Sequence, residues 1–85
     1  MKEFTVKVKD PAGIHARPAG IFVKEASKYE SSILLTHNDK SADGKRIFSV
    51  MGLAAKYGDI LKVTINGIDE EKAAKELEIF FENNL

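Results

Sequence analysis

Three segments of this chain place an apolar residue at every second position, and the residues between them are polar or charged apart from Leu34. A period of two is typical of β-strands that bury one face. It predicts strands over residues 2–9, Ser31–His37 and Asp59–Asn66, and an Asn38-Asp39 turn predicts a short strand near Lys40–Ala42. The side chains expected to face inward are Phe4, Val6, Val8, Ile33, Leu35, Leu61, Val63 and Ile65.

Between these strands the apolar spacing changes to that of amphipathic helices. One helix is predicted from Ala16 to about Tyr29, with Pro18 in its first turn, where a missing N–H breaks no helical bond. A short helix is predicted from Ile47 to Ala54, and Asp69 is expected to cap a final one. The buried positions are expected to be Ala19, Phe22, Val23, Ala26 and Tyr29 in the first helix, Ile47, Val50, Met51 and Ala54 in the second, and Ala73, Leu77, Phe80 and Phe81 in the third.

The resulting order is strand, helix, strand, strand, helix, strand, helix. Hairpin-length links favour an antiparallel sheet with helices on one face, which makes an α+β two-layer sandwich. Residues 1–85 fit a single domain with one modest core. A chain of this size leaves little room for a deep, enclosed active site.

Composition excludes several classes of function. The chain has no cysteine, which removes disulfide and thiolate chemistry and suits a reducing compartment. Its zero net charge argues against general nucleic-acid binding. The alternating start carries no apolar run of signal-peptide or membrane-span length, so we expect a cytoplasmic protein without membrane insertion.

The segment Gly13-Ile14-His15-Ala16-Arg17-Pro18-Ala19 places an imidazole where a helix begins. Helix N-termini offer unpaired N–H groups and a partial positive charge, so a phosphoryl group on His15 would be stabilised there. Arg17 could add charge-assisted hydrogen bonds to its oxygens. The spacing alone also fits a histidine that simply caps the helix and an arginine in solvent.

The rest of the chain offers little further chemistry. His37, at the end of a strand, has no acid or cation placed to work with it, and we interpret it as a surface residue. Zinc-ligand spacing, the P-loop and the GxGxxG motif are absent from the sequence, so neither a metal nor another cofactor is expected.

The segment of residues 13–19 resembles the active-site signature of HPr, the histidine-containing phosphocarrier of the bacterial sugar phosphotransferase system. The resemblance spans the chain and continues through Phe22-Val23-Lys24-Glu25-Ala26, Asn38-Asp39-Lys40-Ser41-Ala42, Val50-Met51-Gly52-Leu53, Lys56-Tyr57-Gly58-Asp59 and Gly67-Ile68-Asp69-Glu70. It implies an open-faced β-sandwich, with a four-stranded antiparallel sheet and three helices on one face.

The resemblance also implies a function. Enzyme I, charged by phosphoenolpyruvate, would phosphorylate Nδ1 of His15, and the group would pass to the A domain of a sugar-specific enzyme II. Arg17 would hold the phosphate. The carrier would be a monomer, and it would not be an enzyme, because it turns over no substrate of its own. Its docking surface would comprise Ile47, Phe48 and Met51 beside the basic residues Lys24, Lys45 and Arg46. Independently of the resemblance, Gly20 inside the first helix would allow close approach of a partner.

One position departs from the family pattern. Many Gram-positive relatives carry a serine at position 46 that a dedicated kinase phosphorylates, whereas this chain has Arg46. The resemblance therefore predicts that this modification is absent here, with Ser49 the nearest substitute. Two alternatives stay open: a regulatory relative that acts by binding proteins, and a nucleic-acid-binding module that uses the open face of the sheet.

Overall fold

The computed structural model describes residues 1–11, 13–14 and 16–84. Within them lie β1 (Lys2–Lys7), α1 (Ala16–Ala26), β2 (Ser32–His37), β3 (Lys40–Asp43), α2 (Ile47–Gly52), β4 (Ile60–Asn66) and α3 (Glu70–Asn84). The βαββαβα order is the predicted one. The ends differ: β1 stops before residue 9, α1 stops before Tyr29 and α2 stops before Ala54, although Tyr29 still packs into the core.

The four strands form one antiparallel sheet in the order β1-β4-β2-β3. Val63 of β4 lies at the centre, paired with Phe4 on one side and Leu35 on the other. The fold is therefore the predicted open-faced sandwich. Chain order alone does not place the last strand between the first two, because β4 must cross over to reach that position.

The inward-facing residues of the strands and helices pack together in one core. The inward-facing residues of β2 and β4 are buried, as are the predicted positions of α1 and α3 except Val23 and Phe80, which are partly buried. The ring centroids of Phe22 and Phe81 lie 5.2 Å apart. Aromatic pairs at this distance add about 0.5–1.5 kcal/mol beyond area burial. In α2 only Val50 is buried, whereas Ala54 of the predicted buried stripe is exposed. Six residues make too short a helix to bury a full stripe.

Asp69 lies at the N-cap position of α3, since its carbonyl accepts the first helical bond, from Ala73. Its carboxylate, however, reaches across to the chain entering β2, where it accepts bonds from the backbone N–H groups of Glu30 and Ser31 and from the Ser31 hydroxyl. The predicted capping carboxylate thus ties α3 to the start of β2. The Ser31 hydroxyl and the Glu30 N–H hold the pKa of Asp69 below its usual value.

Candidate functional site

The first turn of α1 begins at Ala16, directly after His15. His15 itself lies outside the described residues. Pro18 is buried within this turn and contributes no N–H, so the backbone donors that the turn can offer are those of Ala16, Arg17 and Ala19. The prediction that a helix opens at this histidine is therefore confirmed by the backbone on its C-terminal side.

The segment that leads into the site is fixed by contacts with the loop of residues 53–59. Ile14 is buried, and its N–H donates to the carbonyl of Ala55 over 2.9 Å. Gly13 has a φ of +76°, and a Cβ there would lie 2.5 Å from the Ala55 carbonyl oxygen. Only glycine fits this close approach without strain. The path of the chain into residue 15 is therefore set on its N-terminal side as well.

Arg17 is exposed and lines a depression of about 320 Å³ between α1 and the end of α3. The other lining residues are Asp10, Pro18, Ile21, Asn83 and Asn84. Apart from Arg17 and Asp10 these side chains carry no charge, so the guanidinium is the cation of this depression. It lies on the first turn of α1, where the helix dipole also favours an anion.

An apolar surface lies on α2, which packs against α1. We call Ile47, Phe48 and Met51 the α2 patch. Phe48 is 83% exposed and Ile47 36%, whereas Met51 is half-buried against the core. Gly20 of α1 faces the patch, since a Cβ on it would lie 3.5 Å from Cδ1 of Ile47. Phe48 is thus exposed, as a docking residue must be, whereas the helical spacing that placed Ile47 in the buried stripe of α2 was wrong.

The three basic residues beside the α2 patch differ in their surroundings. Lys24 and Arg46 are exposed, and Arg46 forms a long ion pair of 3.6 Å with Asp43. Lys45 is half-buried, and its Nζ donates to the backbone carbonyl of Tyr29 over 2.6 Å. Lys45 therefore stabilises the fold, and Lys24 and Arg46 present their charge to solvent.

The interpretation of His37 as a plain surface residue without an acid is wrong. Its side chain is only 14% exposed, and its Nε2 lies 2.9 Å from Oδ2 of Asp59. Its Nδ1 lies 3.0 Å from the carbonyl oxygen of Leu53. The backbone N–H of Lys56, followed by the His37 ring, holds the pKa of Asp59 below its usual value. Sequence spacing gave no signal for this pair, because β3 and α2 lie between its two members in the chain.

The open face of the sheet carries mostly polar side chains. Thr5, Lys7, Leu34 and Lys62 are exposed, and Thr36 and Thr64 are partly so. Within the strand residues that the structure describes, no aromatic ring lies on this face to stack on a base. This surface does not support the nucleic-acid alternative.

No helix in the described part of the chain is long and apolar enough to cross a membrane. The candidate site comprises the N-terminus of α1, the exposed Arg17 on its first turn and the α2 patch.

Comparison with known proteins matches this arrangement to one family. Residues 2–83 match the family model described as the PTS HPr component phosphorylation site. The chain is 38% identical to the phosphocarrier protein HPr of Mycoplasma genitalium over 99% of its own length and 97% of that protein. The structure of HPr-C-His from Thermoanaerobacter tengcongensis superimposes with a TM-score of 0.93 at 39% identity, covering 99% of this chain and 94% of that one.

A second solved structure belongs to the catabolite repression protein Crh of Bacillus subtilis, reported as a domain-swapped dimer. It is 30% identical with a TM-score of 0.78, and the alignment covers 100% of this chain and 98% of that one. The family model and the HPr relatives each span nearly the whole chain. The chain therefore belongs to the HPr family of phosphocarrier proteins.

Proposed function

We propose that this protein accepts a phosphoryl group on His15 from phosphorylated enzyme I and delivers it to the A domain of a sugar-specific enzyme II. The single observation that carries the proposal is the opening of α1 directly after His15, with Arg17 exposed on its first turn. Family membership supports the phosphoryl chemistry, and the α2 patch supports docking of a protein donor. The group would enter and leave from solvent, as a relay requires.

The transfer needs few groups from the carrier. A lone pair on the neutral imidazole attacks phosphorus, a nitrogen–phosphorus bond forms, and the donor's bond to phosphorus breaks with its electron pair returning to the donor. The bound group brings about 1.5–2 negative charges at neutral pH. This negative charge is stabilised by the N–H groups of the first turn of α1, by the helix dipole and by the Arg17 guanidinium. Positioning and charge stabilisation supply most of the catalysis in such transfers.

The docking surface is proposed as the α2 patch flanked by Gly20, Lys24 and Arg46. An exposed Phe48 beside two cations suits a transient partner with an apolar pocket and an acidic rim. Both the donor and the acceptor must reach His15, so they would use this surface in turn. We also propose that the carrier works as a cytoplasmic monomer, which size-exclusion chromatography with light scattering would check.

The test is to incubate the protein with enzyme I and labelled phosphoenolpyruvate. The label should bind covalently, be acid-labile and alkali-stable, and be absent from His15→Ala. Arg17→Ala should bind the label more slowly, because the variant keeps the nucleophile and loses the cation. Label retained by His15→Ala, or unchanged transfer rates in Arg17→Ala, would contradict the assigned roles.

The second candidate is a regulatory protein that acts by binding, which the likeness to Crh favours. Such a protein would accept phosphate from enzyme I and fail to pass it to any enzyme IIA. Mixing the phosphorylated protein with a panel of enzyme IIA domains therefore separates the two functions.

We further propose that phosphorylation at position 46 is absent, since the arginine there has no hydroxyl. Phosphopeptide mapping after incubation with the serine kinase of the family should find none in residues 41–49. Stoichiometric phosphoserine in that segment, at Ser49 for example, would overturn this proposal.

A further inference from the structure

His37 is held between two oxygen acceptors that belong to the loop of residues 53–59. Nδ1 faces the carbonyl of Leu53 at 3.0 Å and Nε2 faces the carboxylate of Asp59 at 2.9 Å. Both partners accept hydrogen bonds, so the ring donates to both at once when each nitrogen carries a hydrogen. The side chain thus joins the end of β2 to both ends of this loop.

The same loop is tied to the end of β1. The carboxylate of Asp59 accepts from the N–H of Lys56 over 2.9 Å, which closes a turn. The N–H of Val8 donates to the Asp59 carbonyl over 2.9 Å, and the N–H of Gly58 donates to the Val8 carbonyl over 2.8 Å. His37, the last residue of β2, and Val8, the first residue after β1, therefore both hold Asp59.

Between these anchors the loop contains one strained residue. Ala54 has a φ of +53°, a left-handed conformation that costs a residue with a Cβ about 1–2 kcal/mol. The carbonyl before it, of Leu53, is bound by His37, and the carbonyl after it, of Ala55, is bound by the N–H of Ile14. The two bonds on either side hold the chain in a conformation that it would otherwise relax.

The contact of Ala55 with Gly13 and Ile14 connects this device to the site. The Ala55 carbonyl is the acceptor for Ile14 and lies too close to Gly13 for a side chain there. A shift of residues 53–55 therefore moves the acceptor on which the backbone entering His15 rests. Displacements of about 1 Å in such supports can slow a reaction severely.

We infer that His37 is a positioning residue for phosphoryl transfer, because it holds the loop of residues 53–59 in the conformation that supports the Gly13–Ile14 backbone leading into His15. This inference rests on the proposed function, and it adds a residue on β2 that touches neither the phosphoryl group nor the α2 patch. Asp59 is the second member of the same device.

The test compares His37→Ala and His37→Asn with wild type, using Asp59→Asn and Asp69→Asn as a matched pair. Asp69 is the control because its carboxylate also fixes one end of β2, at Ser31, on the side away from the loop. The asparagine at 37 keeps an N–H donor near the position of Nδ1. Three quantities are measured: the kcat and KM of phosphorylation by enzyme I, the amide NMR signals of Gly13 and Ile14, and the unfolding free energy.

We expect His37→Ala to lower kcat about 3- to 30-fold with little change in KM, and to shift the Ile14 amide signal. In His37→Asn the fall in kcat and the shift of the Ile14 signal should both be smaller, because the asparagine can still donate to the carbonyl of Leu53. Asp59→Asn should change both quantities in the same direction as His37→Ala, but by less. Asp69→Asn should reduce stability without altering kcat or the Ile14 signal.

An Ile14 signal and kcat left unchanged in a folded His37→Ala or His37→Asn would overturn the inference. Equal kcat losses in Asp59→Asn and Asp69→Asn at equal stability would also overturn it, since the effect would then follow stability alone. Should wild type accept no phosphate, the proposed function fails, and the Ile14 and Gly13 signals still decide whether His37 positions this segment.

Discussion

The exposed ring of Phe48 gives the sharpest test of the docking surface. A phenylalanine side chain offers about 200 Å² to bury, and at 83% exposure about 170 Å² of it faces solvent. If docking covers about half of this, it removes roughly 80 Å² from water, worth about 2 kcal/mol at 25 cal/mol per Å². Phe48→Ala should therefore raise the KM for enzyme I about 30-fold.

The same change should leave folding nearly untouched. Surface truncations away from special features usually fall within about 0.5 kcal/mol, and alanine is a better helix former than phenylalanine. Urea unfolding followed by circular dichroism should show a midpoint close to that of wild type. The KM effect would then belong to docking and not to loss of folded protein.

Ile68→Ala is the matched control. Ile68 is 88% exposed, but it follows β4 at the end of the strand opposite the 53–59 loop. Its truncation removes a similar exposed apolar group without touching the α2 patch. The reasoning is refuted if both variants raise KM equally, or if Phe48→Ala leaves KM unchanged while remaining folded.

Three further predictions concern the stability of the fold. Gly20→Ala should stabilise the protein by about 0.5–1 kcal/mol in denaturant unfolding, because the new methyl meets Ile47 at an ordinary 3.5 Å; a loss of stability would show that α1 and α2 pack more tightly. Ala54→Gly should stabilise it by about 1 kcal/mol by relieving the left-handed strain, and a lower melting temperature would contradict that reading. The pKa values of Asp59 and Asp69 are lower in the folded protein than in the unfolded chain, where they are near 4, so both ionised carboxylates stabilise the fold. This stabilisation is complete above the unfolded pKa and is lost as the pH falls through the folded pKa values. The unfolding free energy measured against pH should therefore decline in that range, and it should decline less steeply in Asp69→Asn.

The sequence was a good guide to features that depend on neighbouring residues. Alternation identified the strands because each has one face in the core, and helical spacing identified α1 and α3 for the same reason. One end of each strand, of α1 and of α2 shifted by one to three residues from its predicted position, since hydrogen bonding and not burial decides where an element ends. The segment of residues 13–19 was recognisable because its chemistry and its helix start lie side by side in the chain.

The sequence alone determined the folding class, the buried faces and the segment that carries the proposed chemistry, because periodicity and capping act between neighbouring residues. Only the tertiary structure decided that β4 lies between β1 and β2 and that His37 meets Asp59 and the carbonyl of Leu53. It also decided that Lys45 donates to the carbonyl of Tyr29 and that the carboxylate of Asp69 accepts from the N–H of Ser31. Such contacts depend on strand order and register, which arise from packing the whole chain at once, and no local pattern of residues specifies them.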